Sequence, residues 1–521
     1  MDEFSILFGG KAGDGIDRAS LVIADLLKNL GYYIYIYREY PSLIRGGHTF
    51  SIIRASKKKV YAHYDEIDVI LAMNQETVDL HTARMKQKSV LVFDPESVKK
   101  ILKDEDAPPV TANSVMIGKL AKTLGIEWEN LEKAFHANMP KALDKNLTVA
   151  RRGYDETDTT FLAEDLKRTV PTVATGNEAM GLGLIKGGLN AYFAYPMTPT
   201  STILHYLARR AEELNIKVVH PESEIGVILM ALGASYTGQR VAVGTSGGGF
   251  CLMTEGFSLA GMAELPVIVV LGQRPGPSTG LPTYSSQTEL HFALNAGQGE
   301  FTRFVVAPGD PEESHYWAQV AMGMSVKYRI PVIVLTDKNL GEGTYSFDEA
   351  ALQSPEIKTP PRGKKKVFKV NGYEHDENGI TTEEIAITKA MQEKRLAKTE
   401  ALTAELEGYR QVGVYGDKKA KTAVLCWGSN KGVAVEAAEP LGLRVIQPLV
   451  MSPFPLKQFS KALTGVENIV AVENNATGQL VRLINQYGFN AGDKILKYDG
   501  RAFSVGELRG DLEKVIKRRR L

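Results

Sequence analysis

The stretch Tyr-Pro-Met-Thr-Pro-Thr-Ser, residues 195–201, ends an apolar run at 191–195 and leads into an amphipathic segment. Two later segments have the same form: Pro-Glu-Ser-Glu at 221–224, and Gly-Gln-Arg-Pro-Gly-Pro-Ser-Thr-Gly at 272–280. Each lies where a strand-like run gives way to glycine, proline, hydroxyl or charged residues. In parallel α/β sheets such strand-to-helix turns meet at the carboxyl edge, where ligands bind. The three segments therefore predict a doubly wound α/β domain whose edge offers hydroxyls, carboxylates and a guanidinium to a small anionic substrate.

The elements around these segments alternate as a parallel sheet requires. Strands are expected at 191–195, 216–219, 240–244, 266–271, 303–306 and 331–335. Helices are expected between them, for example at 199–214, 224–236 and 250–263. We assign residues 171–350 to this domain.

Two further α/β regions flank it. Residues 1–165 combine strands with a helix at 16–29, which predicts a first α/β domain. Residues 351–418 are rich in proline and lysine and then predict a charged helix over 381–408, so we assign them to a linker. Residues 419–521 predict a last α/β domain. The predicted fold class is therefore multi-domain α/β.

The charge and hydropathy of the chain are balanced. Lysine and arginine number 62 against 61 aspartate and glutamate, for a formal net charge of +1. No field of one sign favours nucleic acid or anionic lipid as the main partner. No segment reaches the roughly 20 uninterrupted apolar residues of a membrane span, and the first residues lack the features of a signal peptide. We expect a cytoplasmic protein.

Cysteine is rare, with Cys251 and Cys426 as the two examples. Two distant cysteines exclude a disulfide framework. They also exclude an iron–sulfur cluster held by this chain alone, because the common clusters need about four cysteine thiolates.

In the first turn, two prolines restrict the backbone around Thr198, so its hydroxyl has a defined direction at the strand end. Thr200 and Ser201 fall where a helix N-cap favours a hydroxyl for structural reasons alone. Thr198 is therefore the better candidate for a ligand contact.

In the second turn, Glu222 and Glu224 precede a helix without further charge before Arg240. The helix dipole favours a carboxylate in the first turn, which explains both residues without a function. Glu224 is followed by apolar residues at 225–228, a setting that favours proton transfer, whereas Glu222 is expected in solvent.

In the third turn, Arg274 follows a strand and can bind a carboxylate bidentately. The run 274–283 holds three prolines and two glycines, too many special residues for a simple connection. A further glycine run, Gly-Thr-Ser-Gly-Gly-Gly-Phe at 244–250, is predicted to be a strand-to-helix loop that lets the backbone approach a ligand or a partner subunit.

The first domain has glycine loops at 9–15 and 45–49. The loop at 9–15 opens a helix, so its amides can hold a phosphate. It lacks the closing Gly-Lys-Ser/Thr of a Walker A loop and the spacing of the dinucleotide fingerprint. A tight structural turn is favoured over nucleotide binding there, and also over an anion contact at Arg45.

Taken together, these segments resemble the fused γ–α subunit of the 2-oxoacid:ferredoxin oxidoreductases, the 2-oxoglutarate branch above all. The matching motifs leave only the linker uncovered and include residues 195–201, 223–226, 233–238, 245–250, 273–283, 473–479 and 498–501, with the loops at 9–15 and 45–47 resembling the γ domain. Two departures are Met197, where the family usually has isoleucine, and Gly248, where proline is common. Neither removes a reactive group.

The resemblance implies a γ domain at 1–165, a thiamine-diphosphate-binding domain of the pyrimidine type at 171–350 and a transketolase C-terminal-like domain at 419–521. It implies oxidative decarboxylation of a 2-oxoacid, 2-oxoglutarate first, with coenzyme A as acyl acceptor. Electrons would pass through iron–sulfur clusters to ferredoxin.

The resemblance also implies roles for individual residues. Glu224 matches the carboxylate that hydrogen-bonds the aminopyrimidine of thiamine diphosphate. The matches to 2-oxoacid contacts are Thr198, Arg274 and Thr283, with Arg274 on the carboxylate. The cofactor-binding segments include Tyr195, Pro196, Gly247 and Gly248.

The chain lacks the Gly-Asp-Gly and following asparagine of the usual diphosphate–magnesium motif, since the Gly-Asp-Gly at 13–15 lies in the first domain and lacks the asparagine. No metal site is therefore expected on this chain. Mg²⁺ and 4Fe–4S clusters are expected on a β subunit, with the active site at the interface of an (αβ)₂ or similar assembly.

Two alternatives stay open. Pyruvate or a branched-chain 2-oxoacid competes with 2-oxoglutarate as substrate. A non-catalytic subunit that serves assembly or binds a nucleotide is the second alternative. A neighbouring reading frame with Cys-x-x-Cys pairs and Gly-Asp-Gly would argue against it.

Overall fold

A computed structural model describes residues 2–41, 46–352, 354–357 and 369–519 of the chain. These residues form two compact units. The first contains the residues up to Ala174 together with Gly343–Asp348 and Ser504–Glu507, and the second contains Thr175–Glu342, Glu349–Phe503 and the residues from Leu508 onward.

The first unit is built on a mixed sheet. Its elements in chain order are β1 (Glu3–Lys11), α1 (Ile16–Asn29), β2 (Tyr33–Glu39), β3 (His48–Ser56), β4 (Ile67–Ala72), α2 (Gln75–His81), β5 (Met85–Val92), α3 (Pro95–Asp104), α4 (Ala112–Thr123), α5 (Trp128–Asn138), α6 (Leu143–Asp155) and β6 (Val173–Thr175). The core packs α1 against β1, β2 and β3, and its fully buried aliphatic side chains include Ile6, Val22 and Leu120.

The next part of the chain forms a second sheet. Its elements are α7 (Gly176–Lys186), β7 (Ala191–Phe193), α8 (Ser201–Arg209), β8 (Lys217–Val219), α9 (Glu224–Tyr236), β9 (Val241–Ser246), α10 (Gly247–Met262), β10 (Val267–Gln273), α11 (Leu290–Asn295), β11 (Phe304–Val306), α12 (Pro311–Tyr328), β12 (Pro331–Asp337) and α13 (Lys338–Glu342). The short β13 (Thr344–Ser346) then joins the first sheet, whose order is β5-β4-β1-β3-β2-β13-β6.

The remaining residues form a third sheet. Its elements are α14 (Ile385–Leu406), β14 (Val412–Gly416), β15 (Thr422–Leu425), α15 (Asn430–Ala438), β16 (Arg444–Pro448), β17 (Val450–Ser452), α16 (Leu456–Ala462), β18 (Asn468–Glu473), α17 (Gln479–Asn485), β19 (Asp493–Leu496) and α18 (Val505–Arg519). The order is β14-β16-β15-β18-β19, while β17 leaves this sheet and pairs antiparallel with β11 at the edge of the second.

The second sheet, in the order β17-β11-β12-β10-β9-β7-β8, is parallel apart from β17. All seven residues of β10 are buried, as a central strand covered on both faces requires. One hydrophobic core joins the second and third sheets, with Leu271 and Trp427 among its members. The multi-domain α/β fold class is confirmed, including the doubly wound sheet.

Two predicted elements differ from the observed ones. The helix expected over 199–214 ends at Arg209, because the backbone then forms tighter turns, with the Arg210 amide donating to the Leu207 carbonyl and the Asn215 amide to the Glu212 carbonyl. The loop expected at 244–250 does not exist: β9 ends at Ser246 and α10 begins at Gly247. Glycines at the start of α10 serve close packing, as the site shows. Residues 358–368 of the predicted linker lie outside the described residues.

Candidate active site

The carboxyl ends of the central strands bring the predicted segments together. In the ladder, Ser246 of β9 lies opposite Gly272 of β10, and Phe193 of β7 lies opposite Val243 of β9. The turns that follow β7 and β10, and the start of α10 directly after β9, therefore leave the sheet at one edge. The turn after β8 leads into α9 at the same edge, because β8 is parallel to β7.

The turn after β7 is fixed by hydrogen bonds to its backbone. Asn177 Nδ2 donates to the Pro199 carbonyl at 2.7 Å, and Arg274 Nη1 donates to the Thr198 carbonyl at 2.9 Å. Thr198 is half-buried. Thr200 occupies the N-cap of α8 as predicted, but its hydroxyl donates to the Met197 carbonyl at 3.1 Å instead of capping the helix. That bond makes Thr200 a turn-stabilising residue.

Tyr195 and Pro196 lie at the surface of this edge. The Tyr195 side chain is 39% exposed, and its ring meets His220 edge-on with centroids 5.9 Å apart. Both residues are exposed at this edge of the sheet.

Glu224 is the first residue of α9 and is buried, with Ser223 as N-cap accepting from the Gly226 amide. Its Oε1 has no hydrogen-bond partner among the residues that the structure describes. A buried carboxylate oxygen without a partner costs folding free energy, so it indicates a position that a ligand completes. Glu222 is exposed, as expected.

The glycine run at the start of α10 packs between two buried carboxyl groups. A Cβ at Gly249 would lie 2.2 Å from Thr245 Oγ1 and 2.8 Å from Glu224 Cγ, and a Cβ at Gly247 would lie 2.7 Å from Glu289 Oε1. Both distances exclude a side chain. Gly248 is exposed, and a Cβ there would lie 3.7 Å from its nearest neighbour, the Ser278 carbonyl oxygen.

Glu289 is a member of this edge that the motifs did not reveal. It is buried next to α11, and burial raises the pKa of its carboxyl to about 7, while its hydrogen bonds from Thr288 and the Arg274 charge oppose the rise. Its Oε2 has no hydrogen-bond partner within the described ranges. A signal existed in the sequence, because Glu289 is the one acidic residue between 265 and 299.

Arg274 and Thr283 complete the set. Arg274 is half-buried at the end of β10; burial lowers the pKa of its guanidinium and the charge of Glu289 raises it. Thr283 is buried, and its Oγ1 also has no partner in the part of the chain described. Among the described residues, oxygens without a hydrogen-bond partner thus occur on Glu224, Glu289 and Thr283, and the charge of Arg274 acts on Glu289.

The third sheet holds the segment that carries Glu289. Gln287 is fully buried; its Nε2 donates to the Trp427 carbonyl at 2.7 Å, and its Oε1 accepts from Asn430 Nδ2 at 2.7 Å and from the Asn474 amide at 3.1 Å. Gln479 Nε2 donates to the Thr288 carbonyl at 2.7 Å. These contacts give the motif at 473–479 a structural role at the site.

The glycine loop of the first unit is closed by its own hydrogen bonds. Asp14 Oδ2 accepts from the Lys11 amide at 2.7 Å, and the Ala12 amide donates to the Gly47 carbonyl at 3.0 Å. Asn113 Nδ2 donates to the Asp14 carbonyl at 3.1 Å. These bonds favour the turn interpretation over a phosphate loop. Arg45 lies outside the described residues.

Two kinds of feature are absent from the described residues. No group of three or more His, Cys, Asp or Glu side chains in these ranges is arranged to hold a metal ion. No helix among them is long and apolar enough to cross a membrane.

Two family models match the chain. Residues 5–156 match the model described as pyruvate ferredoxin/flavodoxin oxidoreductase. Residues 182–402 match the model described as pyruvate flavodoxin/ferredoxin oxidoreductase, thiamine diphosphate-binding.

Named relatives extend this similarity over the whole chain. A 2-oxoacid:ferredoxin oxidoreductase subunit alpha from Sulfolobus sp is 30% identical, covering 98% of this chain and 97% of the relative. A 2-oxoglutarate synthase subunit KorA from Archaeoglobus fulgidus is 29% identical over 60% of this chain and 90% of its own length. A solved structure of 2-oxoglutarate:ferredoxin oxidoreductase from Magnetococcus marinus, with 2-oxoglutarate, coenzyme A and succinyl-CoA bound, superposes with a TM-score of 0.86 at 26% identity, covering 99% of each chain.

Proposed function

The chain belongs to the 2-oxoacid:ferredoxin oxidoreductase family as an alpha subunit, and we propose that it forms the pyrimidine side of a thiamine diphosphate site that decarboxylates 2-oxoglutarate. The 2-oxoacid loses carbon dioxide, coenzyme A accepts the acyl group and ferredoxin accepts the electrons. The proposed preference for 2-oxoglutarate is supported by the printed names of the Archaeoglobus and Magnetococcus relatives.

The observation that carries this proposal is the unpartnered Oε1 of Glu224. This oxygen is buried at the first turn of α9 and lies beside the glycines at the start of α10. It can therefore accept a hydrogen bond from a donor on a flat ring. An aminopyrimidine ring offers such a donor once its ring nitrogen is protonated. When bound, thiamine diphosphate supplies the carbanion-stabilising chemistry that 2-oxoacid decarboxylation needs.

Each residue of this chain then has a defined task. Glu224 holds the proton on the pyrimidine ring nitrogen through Oε1. Arg274 uses the N–H groups that the Thr198 carbonyl leaves free to bind the 2-oxoacid carboxylate. The Thr283 hydroxyl, whose oxygen is unpartnered, and the Thr198 hydroxyl donate to the substrate.

The positions that we propose to border the cofactor lie at the same edge of the second sheet. Gly247 and Gly248 would let the α10 backbone lie close to the pyrimidine ring. Tyr195 and Pro196 border it from the exposed side.

A β subunit completes the site in this proposal and brings Mg²⁺ and the 4Fe–4S clusters, in an (αβ)₂ or similar assembly. Support comes from the face beside Glu224, where large apolar side chains are about half exposed: Ile225 50%, Leu229 47%, Met230 51% and Leu252 50%. A cleft of about 930 Å³ borders the same helices. Apolar patches of this kind mark protein–protein contacts.

Glu224→Gln tests the proposal. We expect turnover by the complex of this chain with its β subunit to fall by about 100-fold or more, because the amide cannot replace the carboxylate in holding that proton. The assay pairs methyl viologen reduction with a panel of 2-oxoglutarate, pyruvate and branched-chain 2-oxoacids. Glu222→Gln, a change of an exposed carboxylate two residues away, is the matched control. Near-normal turnover in Glu224→Gln with intact assembly would contradict the proposal.

A further inference from the structure

Glu289 is a buried carboxyl group that its neighbours fix at one oxygen and leave open at the other. The Thr288 hydroxyl donates to its Oε1 at 2.9 Å. The Glu289 amide donates to Gln273 Oε1 at 3.1 Å, and Gln273 Nε2 donates to the Thr336 carbonyl at 3.2 Å. Oε2 is buried and has no hydrogen-bond partner among the residues that the structure describes. Because buried oxygens are almost always paired, Oε2 indicates a contact that a ligand completes.

The first turn of α10 lies between Glu289 and Glu224. A Cβ at Gly247 would lie 2.7 Å from Glu289 Oε1, and a Cβ at Gly249 would lie 2.9 Å from Glu224 Oε1. Successive residues of an α-helix point about 100° apart around its axis, so position 248 points between positions 247 and 249. The two carboxyl groups therefore flank the face of the helix to which Gly248 belongs.

This face of α10 is open. Gly248 is exposed, and apart from its own helix a Cβ there would meet one heavy atom of the described residues within 4 Å, the Ser278 carbonyl oxygen at 3.7 Å. Gly247 and Gly249, by contrast, have no room for a methyl group. A turn without side chains lets a ligand approach the backbone closely. The exposed face of Gly248 can therefore receive a flat ring.

The two carboxyl groups define the chemistry of that ring. Each has an oxygen without a hydrogen-bond partner in the described part of the chain, on Glu224 and on Glu289. An ionised carboxyl only accepts hydrogen bonds, so the complementary ligand carries a donor at each end. An aminopyrimidine has this form, because its protonated ring nitrogen and its amino group lie on opposite sides of the ring. With the ring nitrogen on Glu224, the amino group is left for Glu289.

We propose that Glu289 is a second cofactor-binding carboxyl, whose Oε2 accepts a hydrogen bond from the amino group of the thiamine diphosphate pyrimidine. Two acceptors at opposite ends of the ring fix its direction in its own plane, which the contact with Glu224 alone does not do. This inference rests on the proposed function, because it takes the ligand of Glu224 to be thiamine diphosphate.

The test is calorimetry on the purified complex with its β subunit, stripped of cofactor. The ligands are thiamine diphosphate and the analogue in which hydrogen replaces the amino group of the pyrimidine. We expect the wild-type complex to bind the analogue roughly tenfold to a hundredfold more weakly, because a hydrogen bond to a charged group is lost. Equal affinities for the two ligands would overturn the role of Glu289.

Variants distinguish a direct contact from a structural effect. Glu289→Ala should weaken thiamine diphosphate roughly tenfold or more and bind the analogue as tightly as wild type, because the variant lacks the acceptor that the analogue cannot use. Glu289→Gln keeps the size of the side chain and should reduce the preference for thiamine diphosphate in the same direction. Glu222→Gln, at an exposed carboxyl, is the control and should keep the wild-type preference.

The outcomes separate this inference from the proposed function. Equal weakening of both ligands in Glu289→Ala and in Glu289→Gln would show a structural role and overturn the contact. A wild-type complex that binds no thiamine diphosphate, or turnover that survives Glu224→Gln, would instead overturn the proposed function. The wild-type comparison of the two ligands decides the first question even if both Glu289 variants fail to fold.

Discussion

Two buried carboxylates of the second unit have opposite hydrogen-bonding states. Glu473, at the end of β18, is fully buried, and its two oxygens accept from Trp427 Nε1, Asn475 Nδ2 and the amides of Leu480 and Val481 at 2.8 to 3.2 Å. Glu224, at the start of α9, is also buried, but its Oε1 has no partner in the described part of the chain.

The difference separates Glu473, a structural carboxylate, from Glu224, the carboxylate that we propose to bind the cofactor. Burial alone does not distinguish them, and neither does their place at a sheet edge. Hydrogen-bond satisfaction does, because buried polar groups in folded proteins are almost always paired. The third sheet uses its carboxylate to fix a turn, and the second sheet keeps its carboxylates available.

The largest stability effect is expected at Glu473. In Glu473→Gln one carboxylate oxygen becomes an amide that faces N–H donors, so the free energy of unfolding should fall by about 3 kcal/mol. Urea unfolding followed by circular dichroism measures it. Glu467→Gln, which changes a carboxylate paired in solvent with Lys421, should cost less than about 1 kcal/mol. Equal effects at the two sites would show that pairing does not matter here.

A gain in stability is expected at Glu289. The folded chain raises the pKa of this carboxyl from 4.5 to about 7. Protonated Glu289 therefore stabilises the folded state fully below pH 4.5, and this stabilisation is lost as the pH rises through 7. Glu289→Gln should match wild type at pH 4.5 and exceed it by about 3 kcal/mol at pH 8. Unfolding midpoints across this pH range measure the difference. A gain that does not vary with pH would argue against a buried, unpaired carboxyl.

A smaller effect is expected from two glycines in neighbouring helices. Gly249→Ala places a methyl group against Thr245 and Glu224, so it should lower the free energy of unfolding by about 1–2 kcal/mol and displace Glu224. Gly233→Ala in α9 meets no atom within 4 Å and should raise it by about 0.5–1 kcal/mol. Thermal unfolding of the pair measures both. Two gains would mean that the start of α10 does not need glycine.

The sequence was sufficient to predict the succession of strands along the chain and the edge at which their turns meet, because long apolar runs alternate with turn residues there. It was also sufficient to single out Glu224, whose buried position follows from the apolar start of α9. These features depend on local patterns, which sequence reasoning detects well.

Features that depend on distant contacts could not be predicted. Glu289 precedes a helix of only six residues. Its segment is held by Gln479, which donates to the Thr288 carbonyl, and its Oε1 lies against Gly247 of α10. Glycine disfavours helices, so the run at 247–249 predicts a loop, whereas close packing at the start of α10 requires glycine at 247 and 249. The three residues of β17 are too few to predict a strand.

The pairing of β17 with β11 interleaves the two halves of the second unit. A polypeptide that stopped before α14 would leave the β11 edge unpaired and Gln287 without Trp427 and Asn430 as partners. A gene divided between the codons of β13 and α14 would therefore yield two products that depend on each other. We expect the two fragments to associate noncovalently, because the C-terminal fragment supplies β17, which completes the second sheet.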